Sequence, residues 1–303
     1  MTGEDINSII ETQLELWPEA KKNFDALIGV ERRELPLGDF PAYVQFNPAR
    51  IRSTGAKVDA ASIRQRPCFL CASNRPEQQL TIPFSEDFDL LVNPYPILPV
   101  HFTLTSRNHV PQDSFTADML RLAVESPDLV VFFNGAKAGA SAPDHLHGQA
   151  VLKSEVPILR VAERFHPSSE PEIQSSAEWN ADLPFRFFSA VIPPQSDGRD
   201  VALMARLSGR EPQSDNELDP GLVNIFCWVD NNGLLRMISI PRQRHRPLCY
   251  GDGPGQMLIS PGALDMGGIV ITPRLEDFKS LTPDILRSIY ADTAFPDGYS
   301  LSL

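Results

Sequence analysis

The sequence contains no apolar run close to the roughly 20 residues that a membrane-spanning helix needs, so nothing in it predicts a membrane protein. It also has little positive charge, since 27 Lys and Arg residues face 39 Asp and Glu residues and the net charge is −12. That balance argues against non-specific binding of nucleic acid, which requires a basic surface. A local group of arginines can still bind a small anion. We therefore expect no nucleic acid and no membrane as partner.

Cysteine is also scarce, with only Cys68, Cys71, Cys227 and Cys249. The segment Met1–Asp5 is acidic, and no basic stretch followed by an apolar one is present there, so we expect no secretory signal and a cytoplasmic protein. In that environment the Cys68-x-x-Cys71 spacing favours half of a metal site or a redox pair over a disulfide. Two buried small side chains are the structural alternative.

Short apolar and alternating segments predict strands at 129–133 and 145–152, and a hairpin over 222–240 that turns at Asn232-Gly233. Helical spacing of apolar residues predicts helices at 4–28 and 274–292, the first of them interrupted by a proline. This mixture predicts an α+β fold of antiparallel sheets with helices packed on them.

The polar segment 166–182 is typical of a loop or linker and divides the chain into halves at 1–165 and 183–303. Small residues precede the strand with the histidines, and a similar Pro-Gly-Ala-Leu segment at 261–264 precedes a strand that begins at Gly268. Gly, Ile and Val then stand where the first copy has histidines. We interpret the chain as a duplicated unit whose first half is catalytic and whose second half is degenerate.

The most informative segment runs from Asp144 to Gln149 and places His145, His147 and Gln149 on one face of the predicted strand. A neutral imidazole can attack phosphorus and form a phosphoramidate. A glutamine can donate to a phosphate oxygen without competing as an acid or base. Small residues such as Gly139 and Ser141 let backbone N–H groups approach a phosphate closely. Two partly buried structural histidines beside a tight loop are the alternative.

Positive charge is concentrated at Arg242–Arg246, where Arg242 and Arg244 are candidate phosphate ligands. The alternative is a solvated loop whose arginines pair with surface carboxylates. Arg107 and Lys137 lie nearer in sequence to the histidines and are further candidates.

A family resemblance rests on Asn134-Gly135, Gly139-Ala140-Ser141 and His145-Leu146-His147-Gly148-Gln149. Together these segments resemble the active-site stretch of the histidine-triad superfamily. The similar branch contains galactose-1-phosphate uridylyltransferase, diadenosine-tetraphosphate phosphorylase and GDP-hexose phosphorylase. The whole chain also resembles an uncharacterised bacterial family of that branch, through 66–71 and 260–268.

The resemblance implies two histidine-triad-like halves and a transferase or phosphorylase that works through a covalent nucleotidyl intermediate. It makes His147 the nucleophile, Gln149 a phosphate donor, and Asn134 and Ser141 phosphate contacts. It also implies a nucleoside diphosphate sugar or dinucleoside polyphosphate as substrate, with phosphate or a sugar phosphate as acceptor. Three residues separate Ser141 from His145, and Leu146 stands between the histidines. Both features differ from the uridylyltransferases, and the His-Leu-His spelling is more similar to the GDP-hexose phosphorylases.

Zinc-containing members of the superfamily bind the metal through a Cys-x-x-Cys pair, a later histidine and the first histidine of the motif. Here these positions are Cys68, Cys71, His109 and His145, so the resemblance implies a structural zinc. The alternative role of His145 is to orient His147 by a hydrogen bond. Three other functions stay open: a nucleotide hydrolase, a non-catalytic nucleotide-binding protein, and a structural zinc protein in which both histidines are ligands. Relatives often dimerise, which implies a homodimer.

Overall fold

The computed structural model describes residues 1–55, 60–170, 173–192 and 221–295. Residues 193–220 and 296–303 of the predicted second half lie outside the described residues. The described strands are β1 (Glu31–Leu37), β2 (Phe40–Phe46), β3 (Ile82–Pro83), β4 (Phe88–Val92), β5 (His101–Ser106), β6 (Leu129–Asn134), β7 (His147–Leu152), β8 (Ile173–Ser175), β9 (Phe188–Ile192), β10 (Val223–Val229), β11 (Leu235–Pro241) and β12 (Ile269–Thr272).

Helices cover the sheets, as the sequence predicts for an α+β fold. They are α1 (Gly3–Leu16), α2 (Pro18–Asp25), α3 (Ile51–Thr54), α4 (Ala60–Arg64), α5 (Ala117–Glu125), α6 (Pro157–Phe165), α7 (Ala263–Met266), α8 (Leu275–Ser280) and α9 (Pro283–Thr293). Short 3-10 turns lie at Ala26–Gly29, Pro48–Arg50, Ala72–Asn74, Lys153–Glu155 and Ser176–Glu178. Among the described residues, no helix is long and apolar enough to cross a membrane.

Proline divides both of the long predicted helices. Pro18 occupies the first position of α2, where its missing N–H is not needed and its fixed φ suits a helix start. Pro283 does the same in α9, and Thr282 caps that helix by accepting a hydrogen bond from the Ile285 N–H. The predicted interruption within 4–28 is therefore confirmed, and 274–292 forms α8 and α9.

The large sheet has nine described strands in the order β3-β4-β5-β7-β6-β10-β11-β9-β8, and all of its pairings are antiparallel. Its two sides are joined by the pairing of β6 with β10. Moving outward from that pair, one side has the order β6, β7, β5, β4 and the other has the order β10, β11, β9, β8. The strands β4 to β7 and β8 to β11 therefore occupy matching places. This is the strand order that a duplicated unit would produce.

The structure changes two details of the predicted duplication. The segment 166–182 contains β8, which pairs with β9, so it is not a loop throughout. The strand beginning near Gly268 is β12, which lies in the small sheet β1-β2-β12 and runs parallel to β2. It is therefore not the counterpart of the histidine strand β7, and β11 occupies the equivalent place in the large sheet.

The two faces of the large sheet bury different cores. Leu104 and Ala150 belong to the core under α1 and α5, whereas Phe132 and Val151 belong to the core shared with the small sheet. Because side chains alternate along a strand, His147 and Gln149 lie on the same face as Val151. The predicted nucleophile therefore faces the small sheet and the segments that follow it.

Candidate active site

His147 is the first residue of β7 and is almost completely buried, with 4% of its surface exposed. Its Nδ1 lies 2.8 Å from the carbonyl oxygen of His145, which can only accept a hydrogen bond. Burial lowers the pKa of His147 to about 4, so the ring is neutral near pH 7. The single proton therefore resides on Nδ1 and the lone pair on Nε2, which no described residue hydrogen-bonds.

Gln112 fixes the backbone of His147 and was not singled out by the sequence. Its Oε1 accepts from the His147 N–H at 2.7 Å. Its Nε2 donates to the carbonyl oxygens of His147 at 2.9 Å and Asn134 at 2.8 Å. The pairing of β6 with β7 ends at Phe132 and Gln149, so this amide bridges the two strands just beyond their last pair. A glutamine in a loop carries no sequence pattern that predicts this contact.

His101 orients the amide of Gln149. The Ile97 N–H donates to His101 Nδ1 at 3.1 Å, so the proton of the neutral ring lies on Nε2. That Nε2 donates to Oε1 of Gln149 at 2.9 Å. Burial, and secondarily the charge of Arg50, lower the pKa of His101 to about 3, which keeps the ring neutral. The bond turns the NH2 group of Gln149 away from His101 and leaves it to donate elsewhere.

His145 lies just before β7, not within it, and its side chain points towards the cysteines. Its Nε2 donates to the Ser106 carbonyl oxygen at 2.8 Å. That bond leaves Nδ1 unprotonated and 3.3 Å from Sγ of Cys68. His145 and His147 thus share one peptide segment but serve different places, and the expected common strand face does not include His145.

A four-residue cluster assembles around that Nδ1. One ligand atom from each of Cys68, Cys71, His109 and His145 lies within 4.8 Å of all the others. Sγ of Cys71 is 3.2 Å from Nδ1 of His109 and 3.6 Å from Nδ1 of His145. A tetrahedral zinc site has sulfur–nitrogen edges of about 3.5 Å, as follows from its bond lengths. The residues expected to bind metal therefore come together with a spacing that fits zinc.

Hydrogen bonds fix the segments that carry this cluster. The Asn74 side chain donates to the Cys68 carbonyl at 2.9 Å, and Arg75 Nε donates to the Leu70 carbonyl at 2.9 Å. Arg66 forms an ion pair with Asp144, the residue that precedes His145, at 3.0 Å. The cysteine loop and the histidine segment are thus attached to each other independently of a metal.

Asn134 ends β6 on the same side of the sheet as His147. Its Oδ1 accepts from the Asn224 side chain at 3.0 Å and from the Ala263 N–H at 2.6 Å. Nδ2 is therefore left as the group that Asn134 offers to a ligand. Asn224 in turn accepts from Nη1 of Arg242 at 2.5 Å, so the second half of the chain holds Asn134 in place.

Arg242 has a different role from the one its sequence position favours. It is 1% exposed. Besides Asn224, its guanidinium donates only to backbone carbonyls, those of Thr293, Pro261, Arg244 and His245. These contacts use all its donors, so Arg242 offers none to a phosphate. Arg244 is exposed next to it.

The loop of small residues between β6 and β7 packs closely against Gly262 at Gly139. This glycine has φ of 96°, and a Cβ there would lie 2.6 Å from the Gly262 Cα. Ser141 is exposed, and its carbonyl accepts from Arg66 at 3.4 Å. Lys137 is also exposed, and its backbone N–H donates to the Gly221 carbonyl. The loop is therefore held against the second half of the chain.

Arg107 is not directed at His147. Its Nε pairs with Asp89 at 2.8 Å, and its Nη1 donates to the Glu86 carbonyl at 3.0 Å. Asp89 also pairs with Arg75 of the cysteine loop at 3.1 Å. Arg107 thus belongs to a group of ion pairs next to the loop that carries Cys68 and Cys71.

A separate cavity of about 440 Å³ lies between the small sheet and the start of α6. It contains none of the predicted site residues. Of its arginines, Arg32 pairs with Glu155 at 3.2 Å, and Arg33 donates to the carbonyls of Phe278 and Leu281. Because these cations already have partners, the histidine site is the better candidate for chemistry.

The fold is that of yeast Ap4A phosphorylase. The structure of that enzyme with AMP superimposes with a TM-score of 0.60 at 18% identity, over 95% of this chain and 98% of that chain. Its complex with Ap4A gives 0.58 at 18% identity, over 94% and 99%. The predicted resemblance to this branch is therefore confirmed at the level of the fold.

A family model and the structure of a plant enzyme also match this chain. A model described as "Domain of unknown function (DUF4922)" matches residues 9–152, which include Cys68, Cys71, His109, His145 and His147. ADP-glucose phosphorylase from Arabidopsis thaliana, with bound ADP-glucose, gives a TM-score of 0.33 at 17% identity, over 86% of this chain and 99% of that one. No curated protein sequence matches significantly.

Proposed function

We propose that this protein is a nucleotidyltransferase or phosphorylase that forms a covalent nucleotidyl intermediate on His147. The hydrogen bond from Nδ1 of His147 to the His145 carbonyl oxygen, at 2.8 Å, carries the proposal. It keeps the proton on Nδ1 and leaves the Nε2 lone pair available, which is what attack on phosphorus requires. The shared fold with Ap4A phosphorylase supports a reaction of this class.

In the first step, Nε2 attacks the α-phosphorus of the donor. A nitrogen–phosphorus bond forms while the bond from phosphorus to the leaving oxygen breaks, and the electron pair departs with a sugar phosphate or a nucleotide. The imidazole becomes cationic as the new bond forms. The carbonyl of His145 stabilises that charge because it already accepts the Nδ1 hydrogen bond.

Gln149 and Asn134 supply donors to the non-bridging oxygens of the reacting phosphate. Each has its side-chain oxygen occupied by a protein donor, His101 Nε2 for Gln149 and the Ala263 N–H for Asn134. Their NH2 groups are therefore preorganised to donate, without rearrangement during the reaction. The exposed Ser141 and the backbone near Gly139 are further phosphate contacts in this proposal.

In the second step, an oxygen of phosphate or of a sugar phosphate attacks the same phosphorus. The nitrogen–phosphorus bond breaks and its electron pair returns to Nε2. The donors we propose are nucleoside diphosphate sugars and dinucleoside polyphosphates. The AMP and Ap4A complexes of the yeast enzyme support including the second class.

Cys68, Cys71, His109 and His145 would hold a structural zinc ion. When bound, zinc would stiffen the segment that presents His147. The reacting phosphate is handled by His147, Gln149 and Asn134.

The test is the mass of the intact protein after brief incubation with a panel of nucleoside diphosphate sugars and dinucleoside polyphosphates. We expect a gain equal to one nucleoside monophosphate, whose size also identifies the base. The gain should be absent in His147→Ala. Labelling that persists in His147→Ala, or that maps to another residue, would remove His147 as the nucleophile.

Measurements of product release and of nucleotide binding, made alongside the mass experiment, distinguish the alternative functions. A hydrolase would release nucleoside monophosphate at the same rate with and without added phosphate. A non-catalytic binding protein would bind nucleotide tightly, show no mass gain and retain its affinity in His147→Ala.

A further inference from the structure

Two donors from the second half of the chain bind one atom of the proposed site, Oδ1 of Asn134. The first is the side chain of Asn224, which lies directly opposite Asn134 where β10 pairs with β6 and donates from Nδ2 at 3.0 Å. The second is the N–H of Ala263 at the start of α7, which donates at 2.6 Å. Because an amide oxygen has two lone pairs, both are used, and a reversed amide would turn its NH2 group towards two donors.

Nη1 of Arg242 holds both of these donors in place. It donates to Oδ1 of Asn224 at 2.5 Å and to the carbonyl oxygen of Pro261 at 3.1 Å. Pro261 lies two residues before Ala263, so one guanidinium nitrogen fixes the side chain of the first donor and the backbone next to the second. A single buried cation in the second half therefore supports the orientation of Asn134.

Asn224 has no donor of its own to offer a ligand. It is completely buried, with 0% of its surface exposed. Its Oδ1 accepts from Arg242, and its Nδ2 donates both to Asn134 and to the Ala138 carbonyl at 2.7 Å. Ala138 precedes Gly139 in the loop of small residues. Any effect of Asn224 on a substrate must therefore pass through Asn134 or through this loop.

These hydrogen bonds form a chain that runs in one direction. Nη1 of Arg242 donates to the oxygen of Asn224, and the nitrogen of Asn224 donates to the oxygen of Asn134. The nitrogen of Asn134 is then the last donor of the chain and the one left for a ligand. Hydrogen bonds in such a chain polarise one another, and their electrostatic effect is larger in a buried region than in water. The charge of Arg242 therefore strengthens Asn134 as a donor.

The charge at the start of this chain is present at neutral pH. Burial lowers the pKa of Arg242 to about 10, and the negative charges of Asp265 and Tyr290 act against that shift. Within the described part of the chain, no carboxylate forms an ion pair with Arg242, and its acceptors besides Asn224 are backbone carbonyls. Its charge is therefore not neutralised by direct contact and can polarise the amide of Asn224.

We propose that Asn224 and Arg242 are positioning residues for the phosphate that His147 attacks. The buried charge of Arg242 acts on this phosphate through the amides of Asn224 and Asn134. The inference rests on the proposed function, because that function places the phosphate at Asn134. Arg242 thus contributes to phosphate binding without touching the phosphate, and the half of the chain without the His-x-His motif has a defined part in the site.

The test measures the affinity of the full chain for AMP, GMP, CMP and UMP by isothermal titration calorimetry. These nucleotides have no phosphoanhydride bond, so no transfer reaction interferes. Asn224→Asp retains the size of the side chain and an acceptor for Arg242, but it presents an oxygen to Asn134 in place of the NH2 group. We expect the monophosphate that the unmodified protein binds most tightly to bind this variant about tenfold or more weakly, as for loss of a charge-assisted hydrogen bond.

A double-mutant cycle shows whether this loss passes through Asn134. In an Asn134→Ala background no amide remains to be oriented, so Asn224→Asp should weaken the same monophosphate less than about threefold. Asn224→Leu is the second variant and covers the case in which Asn224→Asp does not fold. It breaks the connection to Arg242 but leaves the Ala263 N–H to orient Asn134, so we expect a smaller loss of about fivefold, reduced to less than about twofold in Asn134→Ala. A purely structural role predicts the reverse order, because only the aspartate keeps an acceptor for Arg242.

Asn180→Asp makes the same chemical change at an exposed asparagine and should leave the affinity unchanged. The inference is refuted if the losses persist in the Asn134→Ala background, if neither variant of Asn224 weakens binding, or if none of the four monophosphates binds the unmodified protein with a Kd below about 1 mM. Labelling of His147 is measured separately. A loss of affinity that depends on Asn134, in a protein whose His147 is never labelled, supports the positioning role and contradicts the proposed chemistry. Labelling of His147 without these losses supports the chemistry and removes the positioning role.

Discussion

His101 donates from Nε2 to Oε1 of Gln149 at 2.9 Å, and this bond fixes which end of the glutamine amide is free to meet a ligand. The tautomer of His101 is fixed in turn by the Ile97 N–H. The orientation of a proposed phosphate donor on β7 is therefore determined by a backbone group on a different segment.

Replacing His101 with Phe should slow labelling of His147. The phenyl ring retains the packing near Phe132 but cannot donate to Gln149, so the amide loses its fixed orientation. We expect the single-turnover rate to fall by about tenfold to a hundredfold, somewhat less than when a preorganised donor is removed outright. Gln149→Leu, which removes the donor, should be at least as slow. A wild-type rate in His101→Phe would show that the orientation does not matter.

Gln112→Glu should impair catalysis while largely preserving shape. The carboxylate can still accept from the His147 N–H, but it cannot donate to the carbonyls of His147 and Asn134. Two buried carbonyls would then face a carboxylate, at a cost of about 1–3 kcal/mol for each unsatisfied group. Urea unfolding should show lower stability, and labelling of His147 should slow. Gln112→Met separates the two effects, because it removes the hydrogen bonds without adding charge.

Elemental analysis should find one zinc ion per chain in the purified protein. Cys68→Ser and Cys71→Ser should lose it and melt at lower temperature, since in the proposed site each of the four residues offers one ligand atom. His147→Ala should retain a full complement, because Nδ1 of His147 is bound to the His145 carbonyl. Loss of zinc in His147→Ala would instead favour the alternative in which both histidines are ligands.

Gly139→Ala should destabilise the fold more than Gly233→Ala. Both glycines have positive φ, 96° and 79°, so both substitutions introduce backbone strain of about 1–2 kcal/mol. At Gly139 the added Cβ also meets the Gly262 Cα at 2.6 Å, whereas nothing lies within 4 Å at Gly233. We expect Gly139→Ala to cost about 1–3 kcal/mol more in free energy of unfolding. Equal costs would mean that the loop can move away from Gly262.

Local sequence patterns were sufficient for much of the fold. Pro18 divides the segment 4–28 as predicted, because proline lacks an N–H and has a fixed φ, whereas the division of 274–292 at Pro283 was not predicted. Asn232-Gly233 marks a hairpin because Gly233 takes positive φ at no steric cost. The four metal-cluster residues were also identified from the sequence, through a resemblance whose ligand order the structure brings together.

Tertiary structure alone decided the partners of the polar side chains. Arg242 has the charge and sequence position of a phosphate ligand, yet three of its five acceptors, on Thr293, Asn224 and Pro261, are brought to it by the fold from 18 or more residues away. Gln112 carries no pattern at all, and its role depends on which strands end beside it. Hydrogen-bond satisfaction in a buried site is a property of the assembled neighbours, and a single segment does not encode it.

The sequence by itself therefore determined many of the strands and helices and the histidine motif, because each depends on residue type and local spacing, and a family resemblance identified the four residues of the cysteine–histidine cluster. The packing of the small sheet against the large one decided which side chains are free to bind a ligand. It directed His147 and Gln149 towards the small sheet, and it turned Arg107 and Arg242 to other partners. The physical reason is that a buried polar group bonds to whatever the fold places beside it.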